Sequence, residues 1–262
     1  MAVNRVFSFL FRIKATLIIF FLIVGIFFLF SNNFYIPQET IQSGSFSLFQ
    51  PLNIIVYEFI HIGPNHLASN ALTLLAFGIA FELALSSLDT FVLFFSSAIL
   101  TALVFVFTNP GSSVVGASAG ILSLITGSFF ASPKKFFMAL GASIIFALLI
   151  FAALNTALFS TQQSLETKEQ TLNTSLQQAI AEKNLEKQRQ IQEQIVETAS
   201  QKYSFEQGKS TEKNAVSDYG SHVFAALFGI GYVFFFRRKK FLESMEQIDL
   251  FLHNIKMKIK KA

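Results

Sequence analysis

The sequence predicts an all-α, polytopic membrane protein, and three observations carry this prediction. Of the 262 residues, 52% are hydrophobic and 34 are phenylalanine, which is unlike a soluble domain of this length. Stretches of about 20 apolar residues, each long enough to cross a bilayer as a helix, recur along the chain. The basic residues cluster beside these stretches, so the net charge of +4 indicates membrane topology and no nucleic-acid partner.

Six segments are candidate membrane spans, at residues 14–31, 67–88, 90–108, 116–132, 136–159 and 219–236. The first follows Arg5, Arg12 and Lys14, as a secretory signal would, but its apolar run is long for a signal and no A-x-A cleavage site follows. We therefore interpret it as an anchor. Residues 1–159 and 219–236 are expected to form one transmembrane domain.

The lysines and arginines of short loops set the orientation, because such loops stay in the cytoplasm. Basic residues precede span one, lie between spans four and five at Lys134 and Lys135, and follow span six at residues 237–240. The segments on the other side, 32–60 and 109–115, contain neither residue type. We expect both termini in the cytoplasm, and the absence of a transit peptide suits a prokaryotic plasma membrane.

Two polar segments lie outside these spans. Residues 160–218 are rich in Gln, Glu and Lys, have a helical spacing of apolar residues, and are expected outside the cytoplasm, since long loops translocate largely regardless of charge. This insertion is either a solvated helical excursion or a lid or coiled coil that contacts partners. Residues 237–262 predict a basic amphipathic helix that lies on anionic lipid.

Polar side chains inside membrane spans are costly, so each is a candidate functional residue. Glu82 is expected to hold a neighbouring helix by hydrogen bonds, and His61, just before span two, to fix a loop. The other candidates are His66 and Asn70 in span two, Ser118 in span four and His222 in span six.

Three of these candidates are predicted to share one layer of the membrane. Counted from the cytoplasmic charges at about 1.5 Å per residue, Ser118 and His222 lie roughly 24 Å and 22 Å above them, and Asn70 lies roughly 28 Å above. The hydrocarbon core is about 30 Å thick, so a polar pocket that opens outward is implied. In such a layer an imidazole can take the serine proton, and neighbouring donors can stabilise an oxyanion. Asp218 is either a third member of this set or, more simply, the cap of span six.

Each motif also has a simpler interpretation. "GASAG" (116–120) matches the nucleophile elbow of soluble hydrolases, but a hydrophobic run follows it where the elbow needs a strand–turn–helix context. Its glycines alone indicate a small-residue packing face, as do Ala225 and Gly229 in span six. His66 and Asn70, one helical turn apart, can equally bridge helices or bind a ligand.

Taken together, these motifs resemble the rhomboid family of intramembrane serine proteases. The resemblance rests on "YEFIHIGPNHLASN" (57–70), on Gly78 and Glu82, on "GASAG", and on "HVFAALFG" (222–229). It implies a six-helix rhomboid fold in which Ser118 is the nucleophile and His222 the general base. It also implies an oxyanion hole made by His66, Asn70 and the Ser118 amide.

The same resemblance implies supporting roles and a substrate. Gly116, Ala119, His61 and Glu82 would support the site, and the substrates would be transmembrane helices of other proteins, cut near their outer ends without metal or cofactor. The chain departs from the family where Ala119 and Ala225 stand at positions commonly held by glycine. Leu122 stands where an aromatic residue is common. The insertion falls in the loop above the site, and we hypothesise that it modulates access.

Two other functions remain as alternatives to a working protease. A catalytically weak or inactive rhomboid-like protein would bind membrane-protein clients, but it would have no need to keep both Ser118 and His222. A transporter would line a permeation path with polar residues, whereas these residues form one layer and no inverted repeat is evident.

Overall fold

The computed structural model describes residues 2–32, 34–214 and 219–259, and nearly all of them are helical. The first half contains α1 (Ala2–Arg12), α2 (Lys14–Phe30), α3 (Gln38–Gly44), α4 (Pro64–Thr73), α5 (Ile79–Ala84) and α6 (Ser87–Thr108). The second half contains α7 (Ser118–Ala131), α8 (Pro133–Ala181), α9 (Leu185–Asn214), α10 (Tyr219–Phe236) and α11 (Arg238–Ile259). A π-helical turn (Leu74–Gly78) joins α4 to α5 into one continuous segment.

Three helical segments in the described chain are long and apolar enough to cross a membrane: Pro64–Ala84, Ser87–Thr108 and Pro133–Ala181. The number rises to five if α1 with α2, bent by 73°, and α10 with α11, bent by 110°, each count as one span. The protein is therefore a multi-pass helical membrane protein. The fourth predicted span, 116–132, corresponds to α7, whose 14 residues extend over only about 21 Å. The six-span topology stays a prediction.

Helix α7 lies at the centre of the bundle, where it packs most extensively against α10 and α6. Ala225 on α10 is fully buried, and Gly229 lies so close to the Ser123 carbonyl that a β-carbon would not fit. Thr126 Oγ1 donates a hydrogen bond to the Ala226 carbonyl at 2.9 Å. The small residues of α10 therefore allow the close approach to α7 that their spacing predicts.

A buried carboxylate, Asp89, joins the start of α6 to the end of α10. It accepts hydrogen bonds from Tyr232 Oη at 2.8 Å and from Ser86 Oγ at 2.6 Å, and it pairs with Arg237 Nη2 at 2.7 Å. At the same end of the bundle, Lys135 Nζ donates to the Leu83 carbonyl at 2.7 Å. The predicted cytoplasmic charges between spans four and five and after span six thus bind the ends of neighbouring helices.

The described part of the insertion is a helical hairpin. Helix α8 continues through residue 160 without a break, and α9 returns along it after a turn at residues 182–184. Side chains buried along this hairpin include Leu165, Ala179, Ile191, Thr198 and Phe205. An ion pair between Lys202 and Glu169 at 2.8 Å adds a contact across it.

Glu82 on α5 holds the beginning of α2. Its carboxylate is 2% exposed and accepts hydrogen bonds from the Ala15 N–H at 2.9 Å, the Thr16 N–H at 2.8 Å and Thr16 Oγ1 at 2.7 Å. The first N–H groups of a helix lack intrahelical acceptors, and a carboxylate is favourable there. Glu82 therefore belongs to the scaffold and docks α2 onto the segment that contains His66 and Asn70.

We expect Glu82→Ala to lower the free energy of unfolding by about 2–4 kcal/mol, because it leaves buried helix N–H groups without an acceptor. The measurement is the midpoint of thermal unfolding in one detergent. Glu39→Ala is the matched control, since Glu39 is exposed at the start of α3. Equal shifts for the two variants would contradict the scaffold role of Glu82.

Candidate active site

Ser118 and His222 meet at the starts of two packed helices. Ser118 is the first residue of α7, His222 lies in the first turn of α10, and Ser118 Oγ is 3.2 Å from His222 Nε2. The two residues are 104 positions apart in the chain, and the close α7–α10 contact brings them together. This distance is within reach of a hydrogen bond and of proton transfer.

The turn before Ser118 is fixed by main-chain contacts to the loop between α3 and α4. Gly116 N–H donates to the Tyr57 carbonyl at 2.8 Å, and Phe46 and Val114 exchange two backbone hydrogen bonds at 3.0 and 2.9 Å. Tyr57 Oη in turn donates to the Ala98 carbonyl of α6 at 2.7 Å. The position of Ser118 therefore depends on a loop that also leads into α4.

Gly116 gives His66 room to approach this turn. Its φ of +98° lies in the left-handed region that favours glycine. A β-carbon there would lie 2.7 Å from His66 Cε1, 3.0 Å from His66 Nε2 and 3.8 Å from Asn70 Nδ2. The side chains of His66 and Asn70 thus surround a residue two positions before Ser118.

His61 is fully buried and orients Asn70. The Asn70 amide donates to His61 Nε2 at 3.0 Å, and because a carbonyl only accepts, His61 Nδ1 donates to the Phe59 carbonyl at 3.3 Å. These two bonds select one neutral tautomer. The His61 ring is also 4.9 Å from the His66 ring, measured between centroids. The sequence predicts a loop-fixing role for His61, and the rhomboid resemblance implies a supporting one; the structure places His61 against Asn70, a proposed oxyanion donor.

Two other predicted site residues contact neighbouring helices. The Ala119 carbonyl accepts a long hydrogen bond from Ser97 Oγ at 3.4 Å, and Glu82 caps α2. Asp218 lies outside the described residues. In the part of the chain that the structure describes, no three His, Asp or Glu side chains are arranged to hold a metal ion.

A cavity of about 890 Å³ opens in front of Ser118, and His66 and His222 also line it. Among its described lining residues, Glu212 from the end of α9 is the one acidic or basic side chain apart from the histidines. The Glu212 carboxylate accepts hydrogen bonds from the His66 N–H at 2.8 Å and from Asn65 Nδ2 at 3.1 Å. Sequence analysis missed Glu212 and Asn65, since no motif contains Glu212 and the contact spans 146 positions.

Glu58 is a buried carboxyl group that the sequence analysis did not single out. It is fully buried in the loop before α4, and within the described chain neither of its side-chain oxygens has a hydrogen-bond partner. Burial raises the pKa of Glu58 to about 9. The group is therefore neutral at pH 7 and adds no charge beside the site.

The fold and the site together define a class of protein: a multi-pass helical membrane protein with a serine and a histidine paired at one cavity. Residues 48–175 match the rhomboid domain. The chain therefore contains a rhomboid domain, as the sequence motifs suggested, and many members of the rhomboid family are serine proteases. The match includes Ser118 and ends within α8, before His222. No curated protein and no solved structure matches the chain.

We expect Gly116→Ala to displace the His66 ring, because the added methyl group would occupy its place. Gly111→Ala is the matched control, since Gly111 also has a positive φ, of +93°, but nothing lies within 4 Å of its would-be β-carbon. Both variants should lose about 1 kcal/mol of stability through backbone strain. Only Gly116→Ala should shift the His66 signal in NMR spectra of histidine-labelled protein, which has 4 histidines. An unchanged His66 signal would contradict the contact.

We expect His61 to destabilise the protein in acid. Burial, and then the proximity of His66, lower the pKa of His61 from 6.5 to about 3. Between these two pKa values His61 binds a proton in the unfolded chain but not in the folded protein. The free energy of unfolding therefore falls as pH decreases from about 6.5 towards 3. His61→Gln should make the unfolding midpoint depend less steeply on pH between 6.5 and 4. An identical slope in both proteins would contradict this assignment.

Proposed function

We propose that this protein is an intramembrane serine endopeptidase that hydrolyses peptide bonds in or near the transmembrane helices of other membrane proteins. The observation that carries the proposal is the 3.2 Å separation of Ser118 Oγ and His222 Nε2 at a cavity of about 890 Å³. The rhomboid domain over residues 48–175 supports it. The mechanism needs no metal or cofactor.

In this mechanism His222 Nε2 takes the hydroxyl proton while Ser118 Oγ attacks the substrate carbonyl carbon. The tetrahedral intermediate collapses when protonated His222 gives that proton to the leaving amine, which produces an acyl-enzyme and releases one peptide. A water molecule then attacks the ester carbonyl and gives a proton to His222, and Ser118 recovers its proton from His222 as the second peptide leaves. One histidine can perform both transfers, because its ring nitrogen first accepts and then donates the proton.

The oxyanion is stabilised by donors on two helices. Ser118 is the first residue of α7, so its N–H has no intrahelical acceptor and lies at the positive end of the helix dipole. His66 and Asn70 approach the same turn from α4. The amide nitrogen of Asn70 carries two hydrogens, and the bond to His61 uses one of them. The other hydrogen is the one that Asn70 would donate to the oxyanion.

An apolar groove next to the cavity suits a transmembrane substrate. The groove lies between the α4–α5 segment and α8, has a volume of about 700 Å³, and is lined largely by aliphatic and aromatic side chains such as Ile79 and Phe146. Ser69 and Phe151 line the cavity, while Leu72 and Ile150, close to them in the chain, line the groove. A substrate helix in the groove would have to unwind locally to present a carbonyl to Ser118, so helix-weakening sequences should be preferred.

The proposed topology has six spans and both termini in the cytoplasm of a prokaryotic cell, with the protein in the plasma membrane. The basic residues at the span ends support this topology, because Lys135 and Arg237 lie at the same end of the bundle, the proposed cytoplasmic end. Ser118 is the first residue of α7, which runs towards that end, so Ser118 lies on the opposite side. Helix α11 turns by 110° from α10, as expected for a basic amphipathic helix on the inner lipid surface.

The alternative is a rhomboid-like protein that binds membrane-protein clients and cleaves them weakly or not at all. One observation favours it: the end of α9, with Ser210, Thr211 and Glu212, lines the cavity and narrows the approach to Ser118. Against it, a protein that only binds clients needs no hydrogen-bonded Ser–His pair. The two functions predict different results in a single cleavage assay.

We expect the purified protein to cleave at least one of a panel of single-pass membrane reporters, and Ser118→Ala and His222→Ala to lose that cleavage. The matched controls are Ser112→Ala, in the exposed turn before α7, and His253→Ala, exposed on α11. Both controls should cleave as the wild type does. If the wild type cuts no reporter, or if Ser118→Ala cuts equally well, the protease assignment is wrong.

A further inference from the structure

The end of α9 is tied to the beginning of α4 by Glu212. One carboxylate oxygen accepts the His66 N–H at 2.8 Å and the other accepts Asn65 Nδ2 at 3.1 Å. Helix α9 belongs to the insertion, whereas α4 contains two of the proposed oxyanion donors. A single side chain therefore connects the insertion to the turn of helix that forms the site.

The start of α4 is shaped to receive this carboxylate. Its N-cap residue is Gly63, which has no side chain to accept the first N–H groups of the helix. A β-carbon on Gly63 would lie 2.7 Å from Glu212 Cδ, so Glu212 occupies the space in which a capping side chain would lie. The positive end of the helix dipole favours the negative charge. Glu212 thus acts as the N-cap of a helix more than 140 residues earlier in the chain.

Apolar contacts support the same docking. Phe205 on α9 packs edge-on against Tyr35, with ring centroids 5.5 Å apart, and both side chains are buried. Gly208, one turn further along α9, lies against the Tyr35 ring so closely that a β-carbon would not fit. These contacts place α9 beside the loop after α2, and Glu212 fixes its last described turn over the cavity.

We propose that Glu212 is a latch: its bonds to α4 hold the end of α9 over the cavity, and a substrate segment must displace that end to reach Ser118. This inference rests on the proposed protease function and concerns the regulation of the same site. Ser210, Thr211 and Glu212 line one cavity with Ser118 and His222, so the closed hairpin and a bound peptide compete for the same space. Glu212 is only partly buried, so its two hydrogen bonds are weak enough to break reversibly.

The contact is tested without reference to activity. In the Ser118→Ala protein, Glu212→Gln removes the charge, and Gly63→Ala fills the space that the carboxylate occupies at a backbone conformation, φ −159°, that alanine adopts readily. Hydrogen–deuterium exchange of residues 205–214 should rise by about three- to tenfold in each variant, as expected for the net loss of one ordinary hydrogen bond at a partly exposed position. Glu206→Gln, an exposed change on the same helix, should leave exchange unchanged. Unchanged exchange in Glu212→Gln and Gly63→Ala would overturn the latch.

The gating role is tested by cleavage with Ser118 intact. Glu212→Gln and Gly63→Ala should raise the initial rate on a transmembrane reporter by about three- to tenfold, whereas Glu206→Gln should not. Faster exchange without faster cleavage would show that the contact is structural and would overturn the gate. If neither the wild type nor any variant cleaves, the protease function itself fails, and the exchange measurement still reports whether Glu212 holds α9.

Discussion

The close contact between α7 and α10 is the constraint on which the candidate site depends. Helix α10 can approach α7 because Ala225 and Gly229 present almost no side chain to it, and the Thr126 hydroxyl bonds across the gap to the Ala226 carbonyl. A bulkier residue at Gly229 would push the helices apart. Since Ser118 and His222 each begin one of these helices, a shift of about 1 Å along this contact would break their hydrogen bond.

Buried carboxylates set the other helices around this contact. Glu82 caps α2 and Asp89 binds the end of α10, so each joins elements that are distant in sequence. In an apolar bundle an unpaired charge is strongly unfavourable, so each pairing permits few alternative helix arrangements. Polar contacts in this protein therefore position the helices, while small residues determine how closely they pack.

Much of the site was predictable because it follows local rules. Apolar length predicted a multi-pass helical protein, and counting residues from the charges placed Ser118 and His222 at one depth, which agrees with their 3.2 Å separation. Two features were not predictable. The bond between His61 and Asn70 depends on how a loop folds back, and the Glu212 contact joins segments 146 positions apart. Only the glycine at the N-cap of α4, which leaves helix N–H groups without an acceptor, gave a local hint of that contact.

The proposed oxyanion donors and the end of α9 differ in how firmly they are held. Fully buried His61 accepts one hydrogen bond from Asn70 and donates another to the Phe59 carbonyl, and the Gly116 N–H is bonded to the Tyr57 carbonyl, so the proposed oxyanion donors are preorganised. The end of α9 is held over the same cavity by a partly buried carboxylate, that of Glu212. Preorganised donors need no rearrangement when charge develops on the substrate, whereas the end of α9 must move away before a substrate can reach Ser118. In a protease built this way, substrate entry and not assembly of the Ser–His pair would limit the rate.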